Sequence, residues 1–288
     1  MAATYDRARQ DIGNIVALEH INVTIPDQRP ATAFYLAGMG FTRDPYLMVG
    51  LNNMWINIGR SQCHLPTGDP QRLRGTIGIV VPDLAQLAQR LKNVAPQLAG
   101  TQFSFQAHPD RVEATCPWGN RFRCHAPSPE FGATELGIPY VEFEVPRGTA
   151  GGIARFYREA LHASAVIEQR GGDAVASVDA GANQRLLFRE TDGERPPYDN
   201  HHIQIYIADF SGPHRFLVER GLITEESNEH QYRFREIVDL DSGKSLFTIE
   251  HEVRSLRNPL YARPLVNRNP AQTNNDYIRG HDAFRGTY

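Results

Sequence analysis

The sequence predicts an α+β protein built from four copies of one βαβββ unit. An apolar strand followed by an amphipathic helix occurs four times, and each helix is followed by short alternating strands. Pro26 and Pro146 close the first and third apolar strands, so the second half repeats the first at an offset of about 120 residues. We therefore expect four modules, with the second half of the chain a duplicate of the first.

The four first strands are apolar and end near a proline or an aspartate, at residues 18–26, 75–83, 138–146 and 201–209. The helices that follow carry apolar residues on one face and cover residues 31–41, 84–95, 151–163 and 212–222. After each helix, apolar and polar residues alternate in short segments, which is typical of half-buried strands. A chance succession of helices and strands in an unrepeated α+β protein is the alternative.

Composition shifts along the chain predict the domain boundaries. The Pro-, Ser- and Gly-rich stretch 124–137 is typical of a linker. We expect an N-terminal extension over 1–15, one domain over 16–127, a second over 138–254 and an irregular arm over 255–288. Apolar side chains recur along the arm and predict that it packs on the body or on a partner subunit, which leaves a homodimer open: Leu260, Tyr261, Leu265, Tyr277 and Phe284.

The overall composition excludes several classes of protein. Hydrophobic residues make up 41% of the 288 residues, and 30 Lys and Arg against 33 Asp and Glu leave a net charge of −3. This is an ordinary globular composition, and without a dense basic run it predicts neither a nucleic-acid nor a membrane partner. No apolar window is long enough to span a bilayer and the N-terminus lacks a secretory pattern, so we expect a cytoplasmic protein. Three cysteines without C-x-x-C spacing predict neither a disulfide framework nor a cysteine zinc site.

Metal-ligating side chains recur at matched places in the first and fourth units. His20 and His202 stand at the head of the first strand, and His64 and Glu250 stand on the last strand. The second and third units carry other residues at those places: Thr76, Arg123, Tyr140 and Leu186 or a neighbour. Neutral imidazole and carboxylate bind divalent Fe, Mn, Co, Ni and Zn. The alternative to a metal site is that His20 and His202 are structural residues that make ordinary hydrogen bonds.

The repeat order and the histidine-bearing strands together resemble the vicinal oxygen chelate superfamily, over roughly residues 16–254. Its members include glyoxalase I, extradiol dioxygenases, methylmalonyl-CoA epimerase, and the fosfomycin and bleomycin resistance proteins. The resemblance implies two tandem glyoxalase-like domains with cupped mixed sheets. It also implies a metal ion in a cup, held by residues of the first and last strands of a unit. Carried over to this sequence, the implied ligands are His20, His64, His202 and Glu250.

The way the units pair decides whether these ligands meet. Pairing of the first unit with the fourth collects all four ligands in one cup and leaves a second cup without a metal site. Alternate residues of a strand share a face, so two neighbours are alternative ligands. Gln62 could replace His64, and Glu252 could replace Glu250.

The resemblance implies that one divalent ion chelates two neighbouring oxygens of a small-molecule substrate. A glyoxalase-like lyase, isomerase or epimerase would then work by proton transfer through an enediolate, with Glu250 or Glu252 as the base. An extradiol-type dioxygenase is the first alternative. The extradiol pattern takes its ligands from the C-terminal half, where Tyr140 stands in place of a histidine. A small-molecule binding or resistance protein is the second alternative.

Overall fold

The computed structural model describes residues 5–47, 52–269 and 278–279. The first unit contains β1 (Ile15–Asn22), α1 (Gln28–Ala31) continued by a π-helix (Thr32–Gly38), β2 (Thr42–Arg43), β3 (Asn53–Ile58) and β4 (Ser61–Pro66). The second unit contains β5 (Gly75–Val80), α2 (Leu84–Val94) extended by a 3₁₀ turn (Ala95–Leu98), β6 (Ser104–Ala107), β7 (Arg111–Thr115) and β8 (Arg121–His125).

The second half repeats this order. The third unit contains β9 (Gly137–Val145), α3 (Ala150–Leu161), β10 (Ala165–Arg170), β11 (Asp173–Asp179) and β12 (Arg185–Glu190). The fourth unit contains β13 (His202–Ile207), α4 (Ser211–Glu219), β14 (Ile223–Asn228), β15 (Gln231–Val238) and β16 (Ser245–Ser255). Short 3₁₀ turns lie outside the four units, at Arg7–Gln10 and Pro129–Phe131. The predicted α+β class with four βαβββ modules is confirmed.

The strands form two eight-stranded mixed sheets. The outer sheet, with the order β14-β15-β16-β13-β1-β4-β3-β2, joins the fourth unit to the first. The inner sheet, with the order β10-β11-β12-β9-β5-β8-β7-β6, joins the third unit to the second. The two units of each sheet are joined by one antiparallel strand pair, β1 with β13 in the outer sheet and β5 with β9 in the inner sheet. The first unit therefore pairs with the last unit, which is the arrangement that collects the predicted ligands.

The apolar core lies between the two sheets. Helix α3 packs against β10, β11 and β12 of the inner sheet and against β15 and β16 of the outer sheet. In the strands of the outer sheet, every second residue faces this core. His251 stacks on Phe234 with ring centroids 4.3 Å apart, and its Nε2 lies 2.6 Å from the Tyr157 hydroxyl. The other face of each sheet is therefore available to polar residues.

Local sequence explains where the helices begin and what they bury. Asp83 precedes α2, and its carboxylate accepts a hydrogen bond from the Gln86 backbone N–H, which satisfies a free donor of the first turn. Helix α2 then buries Leu87, Leu91 and Val94 at helical spacing. In the first unit the predicted helix is largely a π-helix.

Glycine at position 75 permits the close approach of β5 and β9. A Cβ at Gly75 would lie 1.8 Å from the carbonyl oxygen of Glu142, which is backbone and cannot rotate away. We expect Gly75→Ala to lower the free energy of unfolding by about 3 kcal/mol, because the two strands must separate. Urea denaturation of the full chain measures this loss. The control is Gly151→Ala in α3, where the nearest atom is Ile167 Cδ1 at 3.8 Å. It should leave stability unchanged or raise it by about 0.5 kcal/mol.

The chain beyond β16 contains neither helix nor strand over residues 256–269. Polar contacts attach it to the first unit: Asn57 Nδ2 donates to the Val266 carbonyl at 3.0 Å, and Asn267 exchanges two hydrogen bonds with the backbone of Gly59. Tyr261 is 37% exposed, although its ring contacts Tyr206. The remaining residues of the predicted apolar series are half-buried or lie outside the described residues: Leu260 and Leu265, and Tyr277 and Phe284. Within the described part of the chain, no helix is long and apolar enough to cross a membrane.

Candidate metal centre in the outer sheet

The two central strands of the outer sheet place His20 and His202 on one face. In the antiparallel pair of β1 and β13, Ile21 faces Ile203, His20 faces Gln204, and Asn22 faces His202. The two histidines are therefore equivalent about an approximate two-fold axis through the isoleucine pair. Their ring centroids lie 5.7 Å apart.

The parallel neighbours β4 and β16 add the next side chains on this face. Across from β1, Gln62 lies beside His20 and His64 lies beside Asn22. Across from β13, Glu250 lies beside His202 and Glu252 lies beside Gln204. The same axis makes Glu250 equivalent to Gln62 and Glu252 equivalent to His64. We call this face, with His20, His64, His202, Glu250 and Glu252, the histidine cup.

Three donor groups of the histidine cup are close enough to share one ion. One ligand atom each from His20, His202 and Glu252 lies within 4.8 Å of the other two, and all three residues are buried. Among the described residues, Nε2 of His20 and Nε2 of His202 have no hydrogen-bond partner. Two such imidazole nitrogens beside a carboxylate are a donor set that fits a divalent metal ion.

Glu19 determines which nitrogen His20 presents to the cup. The pairing of β1 with β13 shifts register between Leu18 and His20, so Glu19 is an extra residue of β1. Its Oε2 lies 3.2 Å from His20 Nδ1, and its Oε1 accepts from the Tyr206 hydroxyl. With the proton on Nδ1 directed to Glu19, the Nε2 lone pair is free to bind a cation.

Burial keeps the histidines neutral. Burial, together with nearby His20, Arg254 and Arg233, lowers the pKa of His64 to about 2. The pKa values of His20 and His202 are also well below the usual range, first because of burial. A neutral imidazole binds a metal without first losing a proton.

The structure places His64 and Glu250 beside the three-residue group but gives both of them other partners. His64 Nε2 bonds to Asn53 Oδ1 at 2.7 Å, and its ring stacks on Trp55 at 3.8 Å. Glu250 Oε1 lies 3.6 Å from His202 Nδ1. Nε2 of the alternative ligand Gln62 donates to Asp44 and Asn57, and Gln62 as a ligand also stays a prediction. The four-ligand set His20, His64, His202 and Glu250 stays a prediction, and the distances favour Glu252 over Glu250.

Three arginines pair with the carboxylates of the histidine cup. Arg233 bonds to both Glu250 and Glu252, and Arg235 Nε lies 3.0 Å from Glu250 Oε2. Arg254 pairs with Glu252 at 2.6 Å and with Glu19 at 3.1 Å. A carboxylate has about four lone-pair positions, so one that is bound to arginine can still bind a metal.

The equivalent face of the inner sheet, which we call the tyrosine cup, is different. Thr76 and Tyr140 occupy the places of His20 and His202, and the Tyr140 ring covers Gly78, where a Cβ would meet it at 2.4 Å. His125 Nε2 lies 2.9 Å from the Tyr140 hydroxyl. Acidic side chains on and near this face pair with arginines, as in Arg189 with Glu142 at 3.1 Å. Among the described residues, no group of three metal ligands lies in the tyrosine cup.

No protein-family model and no curated protein matches the sequence. Among solved structures, glyoxalase I from Zea mays is similar with a TM-score of 0.57 and 14% identity, over 83% of this chain and 92% of that chain. A candidate dioxygenase from Bacillus subtilis has a TM-score of 0.56 and 14% identity, over 85% and 86% of the two chains. The cppA protein of Streptococcus pneumoniae has a TM-score of 0.50 and 10% identity, over 85% and 100%.

Each of these similarities covers both sheets rather than one unit, because more than four fifths of this chain is matched. This chain therefore has the vicinal oxygen chelate fold, with all four βαβββ modules in one polypeptide.

Proposed function

We propose that the protein is a metal-dependent enzyme that acts on a small molecule with two neighbouring oxygen atoms, as a glyoxalase-like lyase, isomerase or epimerase. The observation that carries the proposal is the contrast between the two cups. The histidine cup buries two imidazole nitrogens that have no hydrogen-bond partner among the described residues, and both lie beside a carboxylate. The tyrosine cup has a threonine and a tyrosine at those places. Buried polar atoms without partners destabilise the fold. A bound cation would satisfy both imidazole lone pairs and the carboxylate at once.

Each residue of the histidine cup has a separate role in the proposal. His20, His202 and Glu252 would hold one divalent ion, and Glu19 would orient His20. The ion supplies Lewis-acid polarisation of the substrate oxygens. Glu250 lies next to the ion-binding group without belonging to it, so it is the carboxylate that accepts and returns the substrate proton. Arg233 and Arg235 hold Glu250 in place through its two oxygens.

The proposal is tested first by elemental analysis of protein that was purified without added metal. We expect about one divalent ion per chain, with Fe, Mn, Co, Ni and Zn as the candidates. Chelator treatment should remove the ion and lower the thermal midpoint, because a ligand that binds only the folded state stabilises it. Metal content near zero after incubation with each of these ions would contradict the proposal and favour a metal-free binding protein.

Substitutions of Glu252 and Glu250 should have different effects, the first on metal binding and the second on proton transfer. We expect Glu252→Gln to weaken metal affinity by more than about 100-fold, since it removes a charged ligand. Glu250→Gln should retain the ion but lose about 10²–10⁴-fold in the rate of proton exchange from a 2-hydroxyketone substrate. Equilibrium dialysis measures the first effect, and deuterium exchange followed by NMR measures the second. The reverse result would exchange the roles of the two residues.

A dioxygenase is a second candidate because the three-residue group consists of two histidines and one carboxylate. This donor set with open positions is typical of non-haem Fe(II) oxygenases. Oxygen consumption by the Fe(II)-loaded protein with a catechol distinguishes the two activities. Oxygen consumption that depends on the catechol would favour the dioxygenase. Proton exchange without oxygen consumption would favour the lyase or isomerase.

A further inference from the structure

Gln204 places a buried carboxamide on the floor of the histidine cup. Gln204 is 0% exposed, and among the described residues neither its Nε2 nor its Oε1 has a partner. Asn22 is 5% exposed, and its Oδ1 is likewise without a partner. A buried amide without hydrogen bonds destabilises the folded state. Because no described residue bonds to the Gln204 amide, we expect its partner to be a group that enters the cup.

Strand register places these two amides at the candidate metal centre. Gln204 lies directly between His20 on β1 and Glu252 on β16. Asn22 lies between His64 on β4 and His202 on β13. Side chains directly opposite each other on paired strands share a face of the sheet. Both amides therefore face a ligand that occupies the histidine cup.

The charges of the histidine cup indicate which ligand fits. The carboxylates of Glu19, Glu250 and Glu252 form ion pairs with Arg233, Arg235 and Arg254. Glu225 also lies 3.5 Å from Arg233 Nε. A divalent ion would then add two positive charges to a cup in which these carboxylates are already paired. An anion would restore the balance, and N–H donors form strong hydrogen bonds to anionic oxygen.

We propose that Gln204, together with Asn22, binds an oxygen atom of an anionic ligand that carries two neighbouring oxygens, such as a dicarboxylate or a 2-hydroxy or 2-oxo carboxylate. This inference rests on the proposed function, because the metal ion fixes the place and charge of the ligand. Gln204 Nε2 donates to the ligand oxygen, while Oε1 accepts from a hydroxyl or a water bound with it.

The test uses the full chain loaded with Co(II), with oxalate as the probe. Isothermal titration calorimetry should show oxalate binding, weakened at least tenfold in Gln204→Met, while the Co(II) affinity stays unchanged. The metal-free Gln204→Met protein should melt about 2–4 °C higher than the wild type, because methionine fills the site without unsatisfied polar atoms. Loss of binding with a gain of stability is not expected for a residue whose role is structural.

Several results would contradict the inference. Unchanged oxalate affinity in Gln204→Met overturns it, and so does a weakened Co(II) affinity, which would make Gln204 a metal ligand. A lower thermal midpoint without metal shows that Gln204 has partners within the fold, and this readout does not depend on the proposed function. Gln204→Glu is the second variant, since it keeps the shape of the side chain but loses the donor and repels oxalate. Its oxalate affinity should fall more than tenfold, and unchanged affinity overturns the inference.

A matched control separates the two cups. Tyr140→Phe removes the hydroxyl that contacts His125 in the tyrosine cup. Oxalate binding should be unchanged in this variant if the ligand occupies the histidine cup. A tenfold loss would place oxalate in the tyrosine cup and overturn the inference. A wild-type chain that binds no Co(II) contradicts the proposed function instead.

Discussion

His20→Ala and His202→Ala should each lower metal affinity by more than about 100-fold and bring metal content close to zero. Each substitution removes one of the three clustered donors, and the two-residue remnant must complete its coordination with water. The residues lie in opposite halves of the chain but in one sheet. Equilibrium dialysis with Co(II) or Zn(II) measures the affinity, and circular dichroism verifies that each variant is folded.

The control for this pair is Thr76→Ala, which alters the equivalent strand head of the tyrosine cup and should leave one ion per chain. A different result for the two histidines would be informative. Full metal content in His20→Ala with loss in His202→Ala would assign the site to the C-terminal half alone. The dioxygenase candidate would then become the stronger one.

Arg263→Met should lower the free energy of unfolding by about 3 kcal/mol, since it leaves a buried carboxylate without its cation. Asp44 is 0% exposed, and its Oδ2 lies 2.7 Å from Arg263 Nη2, which comes from the segment after β16. The backbone N–H groups of Tyr46 and Leu47 bind the other carboxylate oxygen. Urea denaturation at pH 7 measures the loss.

The pH dependence of this effect has a definite sign. Burial alone would raise the pKa of Asp44, but the hydrogen bonds from Arg263 and from the backbone outweigh it and lower the pKa. The ion pair therefore stabilises the fold above about pH 4, the ordinary aspartate value, and this stabilisation is lost as the pH falls through the lowered pKa. The difference between Arg263→Met and wild type should narrow in acid. A double variant with Asp44→Asn should recover part of the loss, and a constant difference from pH 7 to pH 3 would contradict the ion-pair explanation.

The repeat order was predictable because each module must bury one apolar face, and this requirement leaves a regular trace in the sequence. The four first strands and the four helices follow from that trace, whereas the cross-half pairing was chosen because it collects the four candidate ligands. Strand ends were less predictable: β1 begins at Ile15, three residues before the expected start. The helix of the first unit has an ordinary apolar pattern, so nothing in the sequence distinguished its π-helical geometry.

The site was predictable only where a residue type is unusual on a strand. His20 and His202 were identified because imidazoles recur at matched strand heads. Glu19 was missed because simple alternation places it on the face opposite His20, and a register shift is not visible in the sequence. The three cup arginines and Gln204 were missed for another reason: alternating charged and polar residues on a strand also describe an ordinary solvated face.

The pairing of the first unit with the last has a consequence for how the chain is made. Ile21 cannot meet Ile203 until β13 has left the ribosome, and His202 cannot meet Glu250 until β16 has left it. The inner sheet needs only residues 75–190, so it can form while synthesis continues. During that interval the edge of β1 is unpaired and its apolar face is exposed. We therefore expect a chain that stops before β13 to retain an inner sheet and to aggregate through its first unit, which pulse proteolysis of stalled nascent chains can measure.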